Sequence, residues 1–137
     1  MKRTLAFTIA ILLVFITNVA WQPTNGPLGG NIRTIAIFGS RTFVGTDGGV
    51  FISDDNGNTW NESNNGLTVG SVNSFTKVGA NIFCSQWGEG ISISSNNGAT
   101  WSNVNSGMTQ LNNGYYTNSV FAQGTTLFAA TYNAGVF

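Results

Sequence analysis

From residue 32 onward the apolar positions come in short runs rich in β-branched and aromatic side chains, and Gly, Asn and Ser separate one run from the next. No stretch carries an apolar stripe at helical spacing, so the runs predict strands. Strand A is expected near Ile32 to Phe38, strand B near Thr42 to Thr46, strand C near Val50 to Ser53 and strand D near Thr59 to Ser63. Gly39-Ser40 suits the turn between A and B. Asn56-Gly57 suits the turn between C and D, because such a pair tolerates the positive φ of a tight hairpin.

The pattern recurs. Laying Ile32 to Thr68 over Val72 to Thr109 places Ile35 on Phe75, Phe38 on Val78, Gly39 on Gly79, Phe43 on Phe83, Gly49 on Gly90, Ile52 on Ile93, Trp60 on Trp101 and Gly66 on Gly107. A third copy begins at Thr117, where Val120 matches Phe75, Gly124 matches Gly79 and Phe128 matches Phe83, and the sequence ends within it at Phe137. A repeat of about 40 to 45 residues is that of propeller blades of four strands each. The expected fold is therefore all-β, with propeller-type four-stranded antiparallel blades: two blades plus a partial third. The expected bounds are 32–71 for blade one, 72–115 for blade two and 116–137 for blade three. A closed propeller takes about four to eight blades. The expectation is thus either a fragment of a longer reading frame or a chain whose blades lean on other copies.

Ahead of the repeats, Lys2 and Arg3 precede an apolar stretch from Leu5 to Ala20, broken only by Thr8, Thr17 and Asn18. It is shorter than the roughly 20 apolar residues of a membrane span and gives way to Trp21-Gln22-Pro23, so residues 1–20 read as a secretory signal and 21–31 as a linker. Ala20 suits a cleavage site and Asn18 does not, which leaves an uncleaved N-terminal anchor as the alternative. The expected location is secreted or at the cell surface, with no membrane span once the signal is removed.

Loss of the signal leaves three basic against five acidic side chains, a net charge of −2. Arg33, Arg41 and Lys77 are too few and too scattered for a phosphate-backbone footprint, so nucleic acid is not an expected partner. Charged residues make up only 7 % of the chain while aromatics reach 12 %, so solubility falls to Asn, Ser, Thr and Gly. The sequence has one cysteine, Cys84, and no histidine. That excludes an intramolecular disulfide, Cys/His metal centres and Ser-His-Asp chemistry within this chain. Cys84 falls on Val44 and Ala129 in the repeat, an apolar place, and is expected to be buried and inert.

Ser53-Asp54-Asp55-Asn56-Gly57-Asn58-Thr59-Trp60 resembles the Asp-box, or BNR repeat, whose pattern is Ser-x-Asp-x-Gly-x-Thr-Trp. Ser94-Ser95-Asn96-Asn97-Gly98-Ala99-Thr100-Trp101 resembles it too, with Asn96 where the pattern has Asp. The resemblance spans residues 32 to 137, and the segments around Gly48-Gly49-Val50-Phe51 and Asn64-Asn65-Gly66-Leu67-Thr68 look like those of bacterial exported Asp-box proteins. In sialidases, sortilin-type receptors, xyloglucan-degrading hydrolases and photosystem II assembly factors the box is a fold element remote from the active site. The resemblance therefore implies a structural role for Ser53, Asp55, Gly57, Thr59 and Trp60, and for Ser94, Asn96, Gly98, Thr100 and Trp101. Physics gives the same reading. Asp55 can accept hydrogen bonds across the turn, Gly57 supplies a conformation closed to side chains with Cβ, and Trp60 covers the hairpin. The amide oxygen of Asn96 can take over the acceptor role. Asp54-x-Asn56-x-Asn58 imitates a calcium loop, but Thr59 stands where that loop needs Gly.

Strand direction puts the A-to-B and C-to-D turns at one end of the sheets and the B-to-C turns at the other. The boxes occupy the first end, so binding residues are sought at the second, where Asp47, Trp87, Glu89 and Tyr132 lie. An aromatic beside a carboxylate or amide suits a sugar ring, which offers C–H bonds to the π face and hydroxyls to polar neighbours. Trp87 and Tyr132 can equally fill gaps between blades. Asp47 and Glu89 are the one carboxylate pair at that end, and the three-arginine cluster of a sialidase is missing. No catalytic residue, metal or cofactor is assigned. The expected function is a non-catalytic binding or scaffold module of a secreted or cell-surface protein, with a carbohydrate or protein ligand. The alternative is a fragment of a secreted glycoside hydrolase whose catalytic residues lie in other blades.

Overall fold

The computed structural model describes residues 23–27, 30–68 and 70–137. The predicted signal at 1–20 and part of the linker at 21–31 lie outside them. Among the described residues there is no helix, and hence none long and apolar enough to cross a membrane.

Ten strands form. Copy one supplies β1 (Ile32–Phe38), β2 (Arg41–Thr46), β3 (Gly49–Ser53) and β4 (Asn61–Glu62), which pair in that order into a four-stranded sheet. Copy two supplies β5 (Val72–Val78), β6 (Asn81–Gly88), β7 (Gly90–Ser94) and β8 (Ser102–Asn103); copy three supplies β9 (Tyr115–Gln123) and β10 (Thr126–Thr131). Every strand pairing is antiparallel. Val136 bridges back to Ala130, so the third strand of copy three begins where the repeat places it.

Two features differ from the expectation. The fourth strands are only two residues long, because the box residues ahead of them bond within their own turn. The second sheet has six strands, ordered β10-β9-β6-β7-β8, with β5 paired to β6 off this path. Copy two carries an inserted residue before its third strand, so β6 runs on through Trp87 and Gly88 and pairs them with Tyr116 and Tyr115 of β9. Copies two and three thus share hydrogen bonds as well as side-chain contacts.

Register is kept across the copies: Ile35 opposes Val44, Phe75 opposes Cys84, and Val120 opposes Ala129. Opposed residues share a sheet face. These pairs define a back face, and Phe43, Phe83 and Phe128 in the alternate positions define a front. Each core joins the front of one copy to the back of the next. Phe43, Val50 and Ile52 of copy one pack on Val72, Ile82, Cys84 and Trp101 of copy two. Phe83 and Ile91 of copy two pack on Val120 and Ala129 of copy three. The aromatic chain of the first core runs Phe38, Phe43, Phe75, Trp101, with centroids 5.6, 5.9 and 6.5 Å apart. Trp101 also donates its indole N–H to the Ser63 carbonyl at 2.9 Å, tying box two to copy one.

Asparagines close the outer edges. The side-chain oxygen of Asn64 accepts from the Val50 amide at 2.8 Å, and that of Asn105 from the Ile91 amide at 2.7 Å. Both press so closely on a neighbouring glycine that a Cβ at Gly49 or Gly90 would fall 2.3 or 2.2 Å from the amide oxygen. This explains why a Gly and an Asn recur together in the repeat.

Burial of the recurring phenylalanine generates the first prediction. Phe43 is fully buried, whereas Phe128, its counterpart in copy three, is 41 % exposed. Phe43→Ala is expected to cost about 3–5 kcal/mol of unfolding free energy, and Phe128→Ala under about 1 kcal/mol in the isolated chain. Urea unfolding of dilute protein measures both.

Candidate functional site

At one end of the sheets lie the two boxes. In the first, the Ser53 hydroxyl donates to Asp55 at 2.8 Å and accepts from the Gly57 amide at 2.8 Å. The Thr59 amide and hydroxyl donate to the two Asp55 oxygens at 2.8 and 2.6 Å. The second box repeats this through Ser94, Asn96, Gly98 and Thr100, except that Asn96 donates its own N–H to the Thr100 hydroxyl at 2.8 Å. Asn56 and Gly57 have φ of 59° and 87°, Asn97 and Gly98 of 59° and 90°. An Asn-Gly pair meets that demand without strain. The two box tryptophans part company: Trp60 donates to the Gly57 carbonyl of its own turn at 3.1 Å, while Trp101 reaches the neighbouring copy.

Arg41 joins the boxes. Its guanidinium grips both Asp54 oxygens at 2.6 and 2.8 Å and donates to the Asn97 carbonyl of box two at 2.8 Å. The polar atoms at this end are thus engaged with one another, and their arrangement is that of a scaffold.

The opposite end is built differently. At the close of each second strand one backbone amide donates across to the first strand or the residue just before it: Asp47 to the Asn31 carbonyl, Trp87 to that of Ser71, and Tyr132 to that of Tyr116 at the start of β9. That repeated bond displays Asp47, Trp87 and Tyr132 at equivalent places in the three copies. Beside them, Arg33, Asn73 and Asn118 occupy equivalent places near the start of β1, β5 and β9. A groove of about 490 Å³ opens here, lined by Arg33, Ser71, Asn73, Trp87 and Asn118.

Trp87 stands between Tyr116 and Tyr132, with centroids 5.1 and 5.5 Å away. It fills the gap between copies two and three, yet 42 % of it stays exposed, as does 51 % of Tyr132. Trp87 packs against copy three and keeps an exposed face. Asp47 accepts from the Arg33 Nε, from the Asn31 side-chain Nδ2 at 2.9 Å and from the Ser71 hydroxyl at 3.2 Å. The Arg33 hydrogen bond, followed by that of Asn31, holds its carboxyl below the usual range. A glycosidase acid needs the reverse, a raised pKa. Glu89 lies outside the groove lining, and its carbonyl accepts from Asn105 at 2.7 Å. Asp47 and Tyr132 lie outside that lining as well.

Sequence reasoning named Asp47, Trp87 and Tyr132 but passed over Arg33, Ser71, Asn73, Tyr116 and Asn118. The signal was present: a polar residue recurs at the second position of strand A in all three copies, although the next strand position is also polar. Cys84 is fully buried, and loss of solvent pushes its thiol up to about 12, so it stays protonated. Among the described residues no group of three or more acidic or cysteine side chains gathers to hold a metal ion.

The first box carries an acid prediction. Hydrogen bonds from the Thr59 hydroxyl and amide, then from Ser53, hold the Asp55 carboxyl down to about 2, against an ordinary value near 3.9. The stabilisation is complete above about pH 4 and drains away as pH falls toward about 2. Asp55→Asn removes this titration and copies Asn96. The melting-temperature gap between wild type and D55N is expected to be constant above about pH 4 and to narrow below it, in thermal unfolding scans across that range. No protein-family model matches the chain, and no curated protein or solved structure matches it either.

Proposed function

We propose that this protein is a non-catalytic, carbohydrate-binding module of an exported or cell-surface protein, built from propeller-type Asp-box blades. The observation that carries the reading is the groove at the end opposite the boxes. There an exposed indole, wedged upright by two tyrosines, borders a guanidinium, a hydroxyl and two carboxamides.

A pyranose has one face of C–H bonds and an equator of hydroxyls. Trp87 and Tyr132 offer π faces for the first, and Arg33, Asn73, Asn118 and Ser71 offer donors and acceptors for the second. The Asp47 pair fixes Arg33 and cancels its charge, which favours an uncharged sugar over an acidic one. Trp87 is held before any ligand arrives, so little side-chain freedom is lost on binding. A catalytic acid needs a raised pKa, whereas Arg33 and then Asn31 hold the Asp47 carboxyl below its usual range. The propeller reading is supported by the repeat length, by the conserved register, and by the packing of β5 against both β1 and β9 as successive inner strands would lie.

Glycan-array binding tests the proposal. Neutral oligosaccharides are expected to bind, with Trp87→Ala weakening the strongest of them about tenfold or more and Asn118→Ala less, while Arg41→Ala at the other end leaves binding unchanged. Absence of binding to every glycan, or binding indifferent to Trp87→Ala, would sink it.

A further inference from the structure

Asparagine followed by glycine is a reactive pair. A glycine amide has no side chain beside it, so its nitrogen can reach the asparagine side-chain carbonyl and close a five-membered imide. Five such pairs fall among the described residues: Asn25-Gly26, Asn56-Gly57, Asn65-Gly66, Asn97-Gly98 and Asn113-Gly114. The fold treats them unequally.

In three pairs the glycine is buried and its amide is bonded. Gly57 donates to the Ser53 hydroxyl and Gly98 to the Ser94 hydroxyl, both at 2.8 Å, and Gly114 donates to the Leu111 carbonyl at 2.9 Å. Each must give up a hydrogen bond before its nitrogen can attack. At Asn25 the other reactant is held, since its carboxamide donates to the Asn58 carbonyl at 3.2 Å. Asn65-Gly66 differs on every count. Both residues are exposed, and among the described residues neither the Gly66 amide nor the Asn65 carboxamide has a hydrogen-bond partner. Nor does the turn require asparagine. Leu67 closes it by donating to the Asn64 carbonyl at 3.0 Å, with Gly66 at φ 85°. Copy two closes the same turn from Met108 to Asn105 at 3.0 Å, with Gly107 at φ 87° and Ser106 in the place of Asn65.

The contacts of this turn give the reaction a consequence. The Asn65 backbone carbonyl accepts from the Trp101 amide at 2.9 Å, and a Cβ on Gly66 would fall 2.1 Å from the Trp101 carbonyl oxygen. The turn is thus seated on box two at the junction of copies one and two, with no room on that side for an added atom. Asp54 and Glu62 line the same cleft as Asn65.

We propose that Asn65 is a site of self-modification that loosens the first junction. The Gly66 nitrogen bonds to the Asn65 side-chain carbonyl carbon, the bond from that carbon to Nδ2 breaks, and the Gly66 amide proton leaves with Nδ2 as ammonia. Water then opens the imide at either carbonyl. One opening leaves aspartate. The other leaves isoaspartate, whose backbone is one carbon longer at the point where the turn meets Trp101. Either product sets a new carboxylate beside Asp54 and Glu62.

Peptide mapping by mass spectrometry, with the full chain incubated in mildly alkaline buffer both folded and in urea, tests the proposal. In the folded protein Asn65 is expected to convert first, at close to its rate in urea, into resolvable aspartyl and isoaspartyl peptides. Asn56, Asn97 and Asn113 are expected to convert at least about tenfold more slowly folded than in urea, because each glycine amide must first break a hydrogen bond. The melting temperature of wild type is expected to fall as isoaspartate accumulates. Asn65→Ser, which copies Ser106, is expected to hold its melting temperature through the same incubation. Asn65→Gln, whose longer side chain closes a ring far less readily, serves as a second variant with the same outcome. Another pair converting as fast as Asn65 in the folded protein, Asn65 intact when folded yet converted in urea, or a melting temperature indifferent to its conversion would overturn the proposal.

Discussion

A phenylalanine ring enclosed between the front of one sheet and the back of the next is the contact on which the rest of this structure depends. Phe43 and Phe83 each make it, and each gathers the remaining core residues around it. A single copy has apolar side chains on both faces and no interior of its own. Stability therefore resides in the junctions between copies rather than within them. With one cysteine, itself buried at the first junction, no covalent link supplements this packing. The cores are small, and each carries a large share of the whole.

Polar side chains do the complementary work of ending the strands. A chain with so few charges meets its backbone needs through Asn, Ser and Thr, as Asn64 and Asn105 do at the sheet edges and Ser53 and Ser94 in the boxes. The two ends of the sheets then diverge. At the box end the polar atoms are spent on one another. At the other end the equivalent positions carry different side chains, Asp47, Trp87 and Tyr132, on one repeated backbone frame. A fixed frame with varied side chains is what a recognition surface requires.

Much of the fold was legible because the same constraints were written three times. Strands β1, β2 and β3 lie within a residue of their expected starts, and the positive φ at Asn56-Gly57 follows from the dipeptide. The brevity of β4 and β8 was hidden, because the pattern cannot tell a strand residue from one bonding within a turn. The pairing of β6 with β9 was hidden too. It depends on one inserted residue that lengthens β6, an effect visible only once the neighbouring copy is in place. At the candidate site the aromatic members stood out by type. Arg33, Asn73 and Asn118 did not, since polar side chains are unremarkable in an exposed strand and acquire meaning only when β1, β5 and β9 align them beside Trp87.

The front-to-back polarity of the sheets bears on how such a gene can change length. Each junction is specified by half of one repeat and half of the next, and every repeat carries both halves. Unequal recombination that adds or removes a whole repeat therefore creates no junction of a new kind. Copy number is free to drift while the packing code stays constant, and what distinguishes one descendant from another is left to the few side chains at the end away from the boxes.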